Sequence, residues 1–141
     1  MPKFVILDAS VLINGVDLSA RVAQVEVQMN SDDVDVSTMG AGVHQHLAGL
    51  RADAYIVTFL SDFDAAMVDA TLAPLQASAS STPEFPIKVR AHQTAVSSIN
   101  PSFECLKAIL LTYSPIAGAI GARSETQVTF PSNDMITRHT T

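Results

Sequence analysis

Val22-Ala23-Gln24-Val25-Glu26-Val27-Gln28-Met29 alternates apolar and polar side chains along its length. Successive side chains of a strand point to opposite faces, so Val25, Val27 and Met29 share one face and Gln24, Glu26 and Gln28 the other. One apolar face and one polar face mark an antiparallel strand with a core on one side and water on the other. The same period of two returns downstream. In Phe85–Ala91, Ile87, Val89 and Ala91 oppose Lys88, Arg90 and His92. Ala54–Leu60 is a strand of a different kind, with Tyr55, Val57 and Phe59 on one face and Ile56, Thr58 and Leu60 on the other, which predicts cover on both. Phe103–Tyr113 reads as a long strand ended by Ser114-Pro115, and Glu125–Phe130 as a further strand with Val128 and Phe130 inward.

Working outward, Phe4–Leu7 and Val11–Ile13 are β-branched apolar runs, the second followed by Asn14-Gly15, a strong hairpin-turn dipeptide. One helix is expected over about residues 63–76, capped by Asp62 or Asp64, with Phe63, Met67 and Ala70 on one stripe and Val68, Leu72 and Leu75 on the next. Pro74 should end or kink it. Residues 30–50 are acidic, then glycine-containing, and read as a long loop. Loops beyond about 12–15 residues are uncommon in compact domains and are usually functional. Residues 133–141 read as a short polar tail. The fold class is therefore mainly β: a single domain over 1–141, an antiparallel two-sheet sandwich or partly open barrel with one flanking helix. A βαβα alternation is absent, which argues against a Rossmann-type fold.

Composition removes several function classes. Of 141 residues, 48% are apolar and 16% charged, too hydrophobic for a disordered chain. No apolar run approaches the roughly 20 residues of a membrane span, and the N-terminus lacks a signal-peptide pattern, so a cytosolic product without membrane contact is expected. Lys plus Arg is 8 against 14 Asp plus Glu, a formal charge of −6, and the bases are scattered singly. A nucleic-acid grip needs clustered cations, so none is expected. The single cysteine, Cys105, lies in an apolar run without a local activating base and reads as a buried, inert thiol.

Catalytic and cofactor motifs are missing as well. There is no Walker-type phosphate loop and no G-x-S-x-G elbow. Asp32, Asp33 and Asp35 cluster, but without the distal bidentate glutamate of a calcium loop they read as a solvated or intersubunit acidic segment. His44 and His46 would share a strand face and lack an adjacent third ligand, so a contact or surface role is expected rather than a metal. Glu104 and Lys107, in an apolar strand, mark an edge, an interface ion pair or a solvated face. No catalytic residue, metal or cofactor is expected, and an enzyme is the least favoured class.

The order of short elements resembles a known group. Asn14-Gly15-Val16-Asp17-Leu18-Ser19 is followed by the alternating strand, an acidic segment into Ser37-Thr38-Met39-Gly40, and Leu47-Ala48-Gly49-Leu50. Then come Val57-Thr58-Phe59, Asp62-Phe63-Asp64-Ala65-Ala66, Asn100-Pro101, Tyr113-Ser114-Pro115-Ile116-Ala117-Gly118 and Val128-Thr129-Phe130-Pro131. Across almost the whole chain this looks like the tail tube (major tail) proteins of long-tailed bacteriophages. The resemblance implies a sandwich flanked by a helix, six subunits closing into a ring whose inner sheets form one barrel, and rings stacking into a tube in the virion tail. It also implies contacts with terminator, tape-measure and distal tail proteins, and DNA passing through the lumen without specific binding. On that reading Asp32, Asp33, Asp35, Met39, His44, His46, Leu47 and Leu50 form the segment that contacts the next ring, and Gln24, Glu26 and Gln28 line the lumen. The alternatives are another virion part (tail terminator, head–tail connector or capsid decoration protein) or a small β-barrel ligand-binding module.

Overall fold

β6, Ala54–Leu60, is the middle strand of a three-stranded antiparallel sheet in the order β3-β6-β9. The computed structural model describes residues 6, 8–40, 42–63 and 67–141. β3 spans Val22–Gln28 and β9 spans Glu125–Pro131. Register settles the faces: Val25, Val57 and Val128 lie side by side, as do Val27, Tyr55 and Phe130. Tyr55, Val57, Phe59, Val128 and Phe130 are all buried. The other face of β6 is half-exposed rather than covered, a correction to the expectation drawn from its apolar content.

The second sheet has five strands in the order β10-β8-β7-β1-β2. β1 is Ser10–Ile13, β2 Val16–Asp17, β7 Phe85–Arg90, β8 Ser102–Ala108 and β10 Thr137–His139. Asn14 and Gly15 turn β1 into β2 with φ of 51° and 80°, the two positive values that a tight hairpin of this twist requires. The buried side chains of the two sheets, among them Val11, Ile13, Ile87, Val89 and Cys105 from the second, form one core. Phe85 and Phe130 meet across it edge to face, with centroids 5.9 Å apart.

Three expectations need correction. The helix is short: α1 covers Val68–Leu72, and Pro74 converts the continuation, Ala73–Leu75, into a 3-10 turn. Residues 64–66 of the expected helix, and Phe4, Val5 and Leu7 of the expected first strand, lie outside the described residues. The strand expected over 103–113 carries a bulge between Cys105 and Ala108 and stops at Ala108, where the chain leaves the sheet. The Ile109 N–H then bonds to Pro131, Leu110 accepts from Ala77, and the Tyr113 hydroxyl donates to Asp69. The run is apolar because it crosses between elements, not because a strand continues. Finally, the tail expected over 133–141 contributes β10, paired with β8, and buries Ile136.

Candidate functional site

The segment expected as a long loop is a β-hairpin standing off the sandwich. β4, Ser31–Asp35, pairs with β5, His46–Arg51. The ladder is prolonged by Val36 N–H to Gln45 O and Ala52 N–H to Asn30 O, both 2.8 Å. The strands were hidden from pattern reading because neither buries a face and because Asp and Gly are poor strand formers. Gly49 is needed where it stands, since a Cβ there would meet Asp32 Cβ and the Val34 methyl, each at 3.1 Å.

The hairpin has two unlike faces. Val34 lies opposite Leu47 on one face; Val36, Met39, Val43 and Leu50 are further exposed apolar residues of the hairpin. On the other face Asp35 lies opposite His46 and Asp33 opposite Ala48. His46 Nδ1 is 2.7 Å from Asp33, His44 Nδ1 is 3.7 Å from Asp35, and the two rings are 6.5 Å apart. The Ser37 hydroxyl and backbone N–H hold the Asp35 carboxyl below the usual carboxylate range. Among the described residues no group of three or more His, Cys, Asp or Glu is arranged to hold a metal. Every residue named for the contact segment therefore falls on this one hairpin: Asp33, Asp35, His44 and His46 on the charged face, Asp32, Leu47 and Leu50 along the strands, Met39 fully exposed at the tip.

Sequence reading missed what holds the hairpin. The Asp53 side chain is 1% exposed and accepts from four donors. These are Arg51 Nε at 3.0 Å, Arg51 Nη2 at 2.6 Å, Asn30 N–H at 3.1 Å and Ile136 N–H at 2.8 Å. Burial pushes its carboxyl up, but the Arg51 guanidinium and the Ile136 and Asn30 N–H groups outweigh that and leave it below the usual range. One buried carboxylate thus ties both legs of the hairpin and the β10 segment together. The signal in the sequence was the opposite charges of Arg51 and Asp53, two apart, directly before the clearest strand.

The second candidate surface is the outward face of the three-stranded sheet. Register aligns Gln24 with Thr58 and Gln127, Glu26 with Ile56 and Thr129, and Gln28 with Ala54 and Pro131. The three residues expected there are joined by Thr58, Gln127 and Thr129, which were not singled out. The strands of this sheet carry Glu26 and Glu125 and no Lys or Arg. Both outer strands, β3 and β9, have a strand partner on one side only, although the Ile109 N–H meets β9 at Pro131. Val57, Tyr55, Phe59, Val128 and Phe130 are filled core, whereas Val25 and Val27 are only half-buried. The cleft of about 350 Å³ beside β3 is an open, mainly apolar groove lined by Ile6, Val25, Val27, Met29, Val89, Ala91 and Phe103, with Arg90 at its margin.

With this geometry the molecule has recognisable counterparts. The fold is that of tube-bearing contractile and tail assemblies. A chain of a sheath–tube complex from an extracellular contractile injection system superposes with a TM-score of 0.71 at 10% identity, covering 99% of this chain and 93% of that one. The tube-terminating cap of the anti-feeding prophage gives 0.71 at 12% identity, covering 100% and 95%. The tail of an empty gene transfer agent particle with C6 symmetry gives 0.58 at 14% identity, covering 83% and 81%. No family model and no curated sequence matches the chain. No helix among the described residues is long and apolar enough to cross a membrane.

Proposed function

We propose that the chain is a structural subunit of a bacteriophage-type tail tube. It closes into rings, six subunits to a ring, and the rings stack into a tube in the virion. The observation that carries this reading is the hairpin: six large apolar side chains stand exposed on an arm clamped to a sandwich of tail-tube fold. An isolated two-stranded hairpin is marginal in water, so an arm of this length gains its stability from a neighbour. In this reading its Val34–Leu47 face packs on the next ring. The open edges of β3 and β9 pair between neighbours, which removes edges that would otherwise template aggregation. The six-fold symmetry of the similar gene transfer agent tail supports the ring size. Closed heterologous contacts make the ring, and an unclosed one makes the filament.

Ring closure turns the face bearing Gln24, Glu26, Gln28, Thr58, Gln127 and Thr129 toward the lumen. A wall with the Glu26 carboxylate, amides and hydroxyls and no cation on its strands repels phosphate and lets DNA pass without binding. Terminator, tape-measure and distal tail proteins meet the tube at its ends. The likeness to a tube-terminating cap favours one second reading, a terminator that stays a single ring. Electron microscopy of the purified chain separates the two: stacked tubes are expected, single rings support the terminator, and a persistent monomer at high concentration overturns both. Deleting residues 32–46 leaves the domain folded and abolishes stacking; tubes that form normally without the hairpin overturn its role.

A further inference from the structure

The hairpin's charged face has a counterpart elsewhere on the same chain. The strands of the five-stranded sheet carry four bases, Lys88, Arg90, Lys107 and Arg138, against two acids, Asp17 and Glu104. Among the described residues, Arg21, Arg51, Lys88 and Arg123 each face a carboxylate, whereas Arg90, Lys107 and Arg138 do not. Arg90 donates only to the Thr94 carbonyl and the Ser10 hydroxyl, both neutral. Register with Leu12 and with Glu104 and Ser102 puts Lys88 and Arg90 on the outward face, opposite the core-facing Val89. They flank a groove of about 340 Å³ that also takes in Leu12, Val96, Ser102 and Glu104, whose carboxylate holds Lys88 at 3.1 Å and leaves Arg90 as the base without one.

Charge complementarity and spacing both match. Asp33 and Asp35 are two residues apart on one strand face, as are Lys88 and Arg90 on theirs, and each pair is therefore about 7 Å apart. We propose that the acidic face of the hairpin of one copy docks on the outward face of β7 in another copy, Asp33 and Asp35 opposite Lys88 and Arg90. A guanidinium with fixed donors and no carboxylate of its own recognises such a carboxylate directly. The docking covers the hairpin face that the Val34–Leu47 contact leaves open. It also binds the acidic arm to the basic outside of the tube, away from the acidic lumen. The inference rests on the hairpin being the inter-ring contact.

Charge reversal tests it. Asp33→Lys with Asp35→Lys should abolish tubes in electron microscopy while leaving rings and the circular dichroism melt intact. Lys88→Asp with Arg90→Asp should do the same, and the four changes combined in one chain should restore tubes. Because Arg90 is half-buried, Lys88→Glu alone is a second, exposed variant, expected to cut tube yield severalfold. Wild-type tube yield should fall as salt is raised from about 0.05 to about 0.5 M. Normal tubes from either reversed variant, or no recovery in the combined one, overturn the docking. If deletion of 32–46 abolishes tubes while the reversals do not, the inter-ring hairpin stands and this docking falls. If the reversed variants form normal tubes but lose a different tail protein, the basic face belongs to that partner and the proposal is likewise overturned.

Discussion

Asp53 shows how much one side chain can organise. Its carboxylate is removed from water, a cost met only because two guanidinium N–H groups and two backbone N–H groups point at it. Asp53→Asn keeps the shape but sets an amide against donors, and should lower stability by about 3 kcal/mol. The loss depends on pH. The folded carboxyl titrates below its usual range, so its contribution is fully present above the unfolded value of about 4 and is lost as pH falls through the depressed one. Chemical denaturation of wild type and Asp53→Asn should therefore show a constant gap between about pH 5 and 7 that closes on further acidification. A gap unchanged at about pH 2 would mean that the carboxylate's charge is not what the site uses.

Among the elements, burial decided what could be read. β3, β6, β7 and β9 each present one face to the core, and the alternation of Val25/Val27, Tyr55/Val57/Phe59, Ile87/Val89 and Val128/Phe130 announced them. β4 and β5 bury nothing, so Asp33-Val34-Asp35 carried no core signal and its strand character appears only in the ladder. β10 was hidden by the polar residues Thr137, Arg138 and His139, which suit an edge strand as well as a tail. Over 103–113 the sequence could not reveal a bulge, which depends on pairing with β7. The same distinction predicts dynamics. Backbone amides of β4 and β5 have neither cover nor a third strand, so in the free subunit they should exchange with solvent far faster than those of β6, which is paired on both sides. In assembled tubes β4 and β5 should become protected while β6 changes little. Hairpin amides that exchange equally fast before and after assembly would remove it from the interface.

At the scale of the whole molecule the two sheets differ in charge, and under the proposed tube reading that difference puts the three-stranded sheet inside. The three-stranded sheet bears Glu26 and Glu125 and no base on its strands, while the five-stranded sheet holds four of the chain's bases on its own. If the chain builds the proposed tube for a polyanion, that arrangement suits it better than the inverse, since a wall lined by Lys88 and Arg90 would bind phosphate. The assignment can be read without DNA. Glu26 is exposed in the single subunit, on a strand face that ring closure would turn inward. Glu26→Cys should react readily with a bulky maleimide polymer as a monomer. After assembly it should react with a small maleimide, which enters the lumen from its ends, and hardly at all with the polymer. Cys105, the only native thiol, is buried and supplies a silent background. Equal polymer labelling before and after assembly would put the β3 face on the outside, and the roles of the two sheets would have to be exchanged.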